Sequence, residues 1–195
     1  MSFSSVRIAI FASGNGSNAQ AIINYFSGHP KISVSLIVSN KADAFVLSRA
    51  KEAGIPSLLF TYQDFKSGNK VLDTLNEFNI DFIVLAGFLL KVPHIIIDKY
   101  PQKILNIHPA LLPKFGGKGM FGSHVHEAVL AEKEKESGIT IHFVNNEYDK
   151  GDILFQARCP VMPDDTPETL ASRIHTLEHK HFPAIIEKVI TGQMS

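Results

Sequence analysis

Over its first ~110 residues the chain alternates short apolar, β-branched runs with longer stretches whose apolar positions return every three or four residues. The runs 6–11, 32–39, 57–60, 81–85 and 104–108 are too short for free-standing helices and are bounded by Gly, Pro, Asn or Asp, so they predict strands. The stretches 18–26, 45–53, 70–78 and 93–99 carry the spacing of amphipathic helices. Gly28 and Pro30 stop the first of these, and Gly54 and Pro56 the second. A strand such as FIVLA at 82–86 is apolar at every position, which requires burial on both faces and hence a parallel sheet between helical layers. The pattern therefore predicts an α/β fold whose N-terminal half is a doubly wound, mostly parallel, Rossmann-like sheet with right-handed crossovers.

Beyond residue 110 the pattern changes. GITIHFV at 138–144 and ILFQARCPV at 153–161 flank a turn rich in Asn, Asp and Gly, predicting an antiparallel pair. A closing helix is expected over 166–191, with Pro167 tolerated in its first turn and Pro183 expected to kink or split it.

Composition narrows the class. Nineteen basic and nineteen acidic side chains balance, which argues against a constitutive nucleic-acid or anionic-membrane binder. No apolar run approaches the ~20 residues of a membrane span. A single cysteine, Cys159, cannot close an internal disulfide, and the opening MSFSSVRIAIFASG lacks the features of a secretory signal. A cytoplasmic, single-domain protein of 195 residues is the expectation, monomeric or homodimeric.

Candidate chemistry lies at two places. Ser13-Gly14-Asn15-Gly16-Ser17-Asn18 follows the first strand and opens a helix, where glycines permit a sharp turn and helix-start amides attract an anion. Ser17 and Asn18 are candidates to cap that helix or to donate to a phosphate; a plain βα turn would use the same residues. Gly14, Gly16 and Ala19 also satisfy the dinucleotide pattern, but the second strand ends Ser39-Asn40-Lys41 without the acid that reading wants. At the fifth strand's end, Asn106 and His108 share one side by alternation, at the edge where open α/β sheets bind ligands. An amide beside an imidazole suits a transition state that develops an oxyanion, though both residues would equally serve the following loop. Asp149 is a turn former by type; folded over the strand edge, it would favour a protonated His108.

Several segments, in order over nearly the whole chain, resemble the phosphoribosylglycinamide formyltransferase family: SGNGSN at 13–18, SNKADA at 39–44, VLAGF at 84–88, LNIHPALLPK at 105–114, GITIHFV at 138–144, YDKGDIL at 148–154 and ETLASRIHTLEH at 168–179. NIHPALLP is shared with other formyl-folate enzymes, and GNGSN is similar to the substrate-phosphate loop of this one. The resemblance implies transfer of a formyl group from 10-formyltetrahydrofolate, a co-substrate, to the amine of glycinamide ribonucleotide in purine synthesis, without a metal. It implies catalysis by Asn106, His108 and Asp149, and ribonucleotide binding by Gly16, Ser17, Asn18, His175 and Glu178. Folate would contact Leu89, Leu90, Lys91 and Val92, Asn106, and the turn Asn145, Asn146, Glu147, Tyr148 and Asp149. The phosphate-binding half would cover about 1–110 and the folate-site half about 111–195. A hydrolase using water as acceptor would employ the same catalytic set.

The chain departs from the family pattern in two places. The loop after Lys114 is longer than usual, and Gly68 stands where an Arg is expected, so either Lys66 or Lys70 meets the folate tail or that contact is lost. A different class is suggested by His175-Thr176-Leu177-Glu178-His179, which fits the H-x-x-E-H pattern of inverted zinc peptidases. His124, His126, His179 and His181 otherwise read as helix-end or surface residues.

Overall fold

The computed structural model describes residues 5–194, in two compact units that divide between Leu105 and Asn106. The first unit opens with β1 (Val6–Phe11), α1 (Ser17–Phe26), β2 (Ile32–Ser39), α2 (Val46–Glu52) and β3 (Ser57–Leu59). It continues through α3 (Tyr62–Ser67), α4 (Asn69–Glu77), β4 (Phe82–Leu85) and α5 (His94–Lys99). Its strands lie in the order β3-β2-β1-β4 and every pairing is parallel. All four residues of β4 are buried, as a strand covered on both faces requires. Ile8, Ile10, Phe11, Leu36, Ile37, Phe65, Leu75 and Ile83 fill this core.

Chain 104–108 forms β5 (Ile104–His108), followed by α6 (Ser123–Ala131), β6 (Glu136–Phe143), β7 (Ile153–Pro160) and α7 (Pro167–Ile190). Strands β5, β6 and β7 follow in that order, and β6 pairs with β7 antiparallel. Gly138 allows that pairing, because a Cβ there would stand 2.0 Å from the Ala157 carbonyl oxygen. The second unit's core is built on Ile139, Ile141, Leu170, Ile174, Phe182 and Ile186. The expected parallel α/β half, antiparallel pair and closing helix are all present.

One expectation, that Pro183 splits the last helix, is corrected, and two helices are added. Helix α7 runs unsplit through Pro183, which is buried. Proline removes one backbone donor, and a 24-residue helix with a packed apolar face tolerates that single loss. Helices α3 and α6 were not foreseen. Helix α3 starts on a capping box in which Thr61 accepts from the Asp64 amide while Asp64 accepts from the Thr61 amide. Helix α6 buries Val125 and Val129 one turn apart, directly after the glycine-rich loop that obscured its start.

Candidate active site

In the first unit, β1 delivers the glycine run to the start of α1. The N-cap is Gly16, at φ 74°, and it makes no side-chain capping bond. Ser17 and Asn18 therefore do not cap the helix; they stand in its first turn. Glycine is required at 16 twice over, by the left-handed φ and because a Cβ there would meet Val46 Cγ2 at 2.5 Å. A helix that starts without a side-chain cap offers its first amides to an anion.

Ser13 ties this loop to the one after β4. Its buried hydroxyl donates to Asn40 Oδ1 at 2.6 Å and accepts from the Leu89 amide at 3.0 Å, while the Ser13 amide donates to the Gly87 carbonyl at 3.0 Å. Asn40, standing where a dinucleotide fold would carry an acid, is thus engaged in holding Ser13. Leu89 is exposed, Leu90 half-buried and Lys91 exposed, whereas Val92 packs into the core. Side chains 89–91 reach the surface and that of Val92 does not. Lys70 pairs with Asp64 at 3.3 Å and its ammonium lies 5.7 Å from the Phe60 ring centre. Two residues beyond Gly68 in the chain, this cation already has a carboxylate partner.

The second unit brings Asn106, His108 and Asp149 together and adds His142, which the sequence reading missed. His108, 3% exposed at the end of β5, donates from Nε2 to the Phe115 carbonyl at 2.7 Å. Its Nδ1 lies 3.7 Å from Asp149 Oδ2, beyond hydrogen-bond length. Asp149 Oδ2 accepts from the Gly117 amide at 2.8 Å. Asn106 Nδ2 donates to His142 Nε2 at 3.1 Å and leans toward Asp149 Oδ1 at 3.5 Å. His142 Nδ1 donates to the Phe143 carbonyl at 2.7 Å, which turns Nε2 toward Asn106 and Asp149. Gly151 makes the turn possible, since a Cβ there would fall 1.7 Å from the Phe143 oxygen. The signal for His142 was its strand position: it alternates with Ile141 and shares a face with Thr140.

Electrostatics correct one expectation. Burial pushes His108 below the ordinary histidine value; Asp149 and the Phe115 carbonyl pull the other way and do not win. His108 is therefore neutral near pH 7 in the free protein, although a carboxylate faces it. Burial alone would raise Asp149, but His142, His108 and the Gly117 amide together bring it below the usual carboxylate range. Asp149 is an anion at neutral pH.

On α7, Glu178 is buried and His175 exposed, with the His175 and His179 rings stacked 6.2 Å apart. His181 rests against Phe155. Among the described residues, no group of three His, Cys, Asp or Glu side chains is placed to hold a metal ion. His126 is not a surface residue: it is 4% exposed, its Nδ1 has no partner among the described residues, and burial brings its pKa to about 4. Asn145, Asn146, Glu147 and Tyr148 are exposed. Asn145 braces its turn by donating to the Lys150 carbonyl at 3.0 Å and accepting from the Glu147 amide at 2.9 Å.

The first unit carries a glycine loop after its first strand, and the second an amide and an imidazole on β5 with a carboxylate in the β6–β7 turn, residue types suited to stabilising a developing oxyanion. A family profile described as formyl transferase matches residues 6–186, and the chain belongs to the formyl transferase family. Relatives named phosphoribosylglycinamide formyltransferase are among those it matches. The chloroplastic one of Arabidopsis thaliana is 44% identical over 186 residues, covering 92% of this chain and 64% of that protein. That of Haemophilus influenzae is 35% identical over 193 residues, 96% of this chain and 89% of its own. A solved Coxiella burnetii phosphoribosylglycinamide formyltransferase superposes with a TM-score of 0.87 at 36% identity, covering 97% of this chain and 89% of that one. The chain spans less than two thirds of the plant protein's length. No helix among the described residues is long and apolar enough to cross a membrane.

Proposed function

We propose that this protein transfers the formyl group of 10-formyltetrahydrofolate to the amine of N1-(5-phosphoribosyl)glycinamide, a step of purine biosynthesis. The observation that carries this reading is the meeting of Asn106, His108 and Asp149 within one cluster. The names of the bacterial relatives, of which the chain covers 89%, support formyl transfer to the ribonucleotide.

The neutral amine attacks the formyl carbon, and the carbonyl electron pair moves onto oxygen. Asn106 has one strong bond, to His142, and one long contact, to Asp149; the N–H in the long contact is the one free to turn to the oxyanion. His108 Nε2–H, now on the Phe115 carbonyl, is the second donor. His108 is neutral until negative charge develops beside it. The oxyanion's charge then joins that of Asp149, two anions favour the imidazolium, and His108 takes up a proton only when its charge is useful. That proton is the one the attacking amine gives up; it passes on to the folate nitrogen as the carbonyl re-forms and the carbon–nitrogen bond to folate breaks. Holding both reactants in line contributes several kcal/mol of the order known for intramolecular reactions.

Gly16, Ser17 and Asn18 would bind the substrate phosphate, and His175 and Glu178 its ribose. Leu89, Leu90, Lys91, Val92, Asn145, Asn146, Glu147 and Tyr148 would contact folate, Val92 through its backbone. This set supplies backbone amides and carbonyls for a flat heterocycle, and needs no metal. A spectrophotometric folate assay with and without glycinamide ribonucleotide tests the reading. Tetrahydrofolate appearing only with the amine is expected; its appearance at the same rate without the amine means a hydrolase.

A further inference from the structure

Arg49, on α2, grips a single residue of the glycine run. Its Nε donates to the Asn15 backbone carbonyl at 2.9 Å and its Nη2 to Asn15 Oδ1 at 2.9 Å. Its Nη1 donates to Gln20 Oε1 at 3.3 Å, on α1, and the guanidinium lies 4.9 Å from the Phe45 ring centre. Three residues earlier, on the same helix face, Val46 donates its amide to the Gly14 carbonyl at 3.2 Å and fills the space a Cβ on Gly16 would need. Gly14, Asn15 and Gly16 are thus each held by one face of α2.

We propose that Arg49 is a positioning residue for the phosphate of the substrate, acting through Asn15. The inference rests on the phosphate-loop reading above and adds the group that sets the loop's shape. A run containing two glycines has many backbone states, and each must be given up when a ligand binds. The guanidinium fork, fixed at both the backbone and the side chain of Asn15, selects one of those states beforehand. Lysine keeps the charge but is a point donor and cannot make this fork. Charge alone and loop shape are therefore separable.

The test uses Arg49→Lys, Arg49→Met, Asn15→Ala and the Arg49→Met/Asn15→Ala double variant of the whole chain. Initial rates are measured with each substrate varied, and ribose 5-phosphate binding is measured by calorimetry. Both Arg49 variants are expected to raise the KM for glycinamide ribonucleotide and the Kd for ribose 5-phosphate about tenfold, with kcat and the folate KM within about twofold. In the Asn15→Ala background, which lacks the side-chain half of the fork but keeps the backbone carbonyl, Arg49→Met has a smaller effect than it has in the wild type. Three results each overturn the proposal: Arg49→Lys behaving as wild type, both KM values rising together, or effects that multiply in the double variant. A wild type without turnover on glycinamide ribonucleotide refutes the formyl-transfer reading instead, and the ribose 5-phosphate ratios then decide on Arg49. A wild type that fails to bind ribose 5-phosphate refutes the Arg49 proposal as well.

Discussion

Asp149 places one carboxylate oxygen 3.7 Å from His108 Nδ1 and the other 3.6 Å from His142 Nε2, so a single anion faces two imidazoles. Its backbone stands at φ 54°, a left-handed conformation that Asp tolerates better than most residues. The Gly117 amide fixes the same carboxylate from the loop side. The charge is therefore held in place before any substrate arrives, as electrostatic preorganisation requires.

Removing that charge while keeping the shape isolates its role. Asp149→Asn lowers the His108 pKa further, because the raising influence is lost while burial remains. The expected consequence is a fall in kcat of about 10²–10³-fold, the size typical of losing a transition-state charge partner. An NMR titration of His108 alongside initial rates checks both halves. An unchanged His108 titration with full activity refutes the assignment.

Stability should depend on pH through the buried histidines. His108 and His126 are both held below the ordinary value of 6.5 in the folded state, His126 at about 4. As pH falls through 6.5 the unfolded chain takes up protons that the folded chain refuses, so stability drops between pH 6.5 and about 4. His126 alone accounts for about 3 kcal/mol of that loss. Urea unfolding of His126→Leu at pH 7.5 and pH 5 is expected to show a flatter dependence than wild type. An equally steep fall in the variant counts against His126 as the source.

Gly16→Ala combines a disfavoured φ with a clash against Val46 Cγ2. A destabilisation of about 1–3 kcal/mol is expected, together with weaker binding of the phosphate-bearing substrate. Thermal melts and the KM for that substrate measure the two effects. A melting temperature equal to wild type would contradict the backbone argument.

Ser13→Ala removes the hydroxyl shared by Asn40 and the Leu89 amide. Leaving these part-buried partners without the shared hydroxyl costs about 1 kcal/mol. Because Leu89 belongs to the proposed folate loop, the folate KM is expected to rise as well. A stability loss with no change in folate KM would confine Ser13 to a structural role.

The alternation of β-branched runs and amphipathic stretches was enough to place five strands of the parallel type, four helices between them and the β6–β7 pair. Local patterning carries this information because a strand or helix advertises which face it buries. Boundaries moved by one or two residues where caps decide them, as at Gly16. Helix α3 was written in Thr61 and Asp64, a capping box overlooked beside the stronger apolar signals. Helix α6 was hidden because glycines at 116, 117, 119 and 122 mask where the loop ends.

By itself the sequence determined the fold class, the glycine run and the Asn106 and His108 pair on one strand face, and it offered Asp149 as a catalytic candidate only through the family resemblance. Only the tertiary structure decided that Asp149 reaches His108, that His142 completes the cluster, and that Arg49 holds Asn15, because these contacts join residues far apart in the chain. It also decided the sign of the His108 shift. Charge type can be read from a residue's letter, but the balance between desolvation and a facing carboxylate depends on burial and distance, which exist only once the chain has folded.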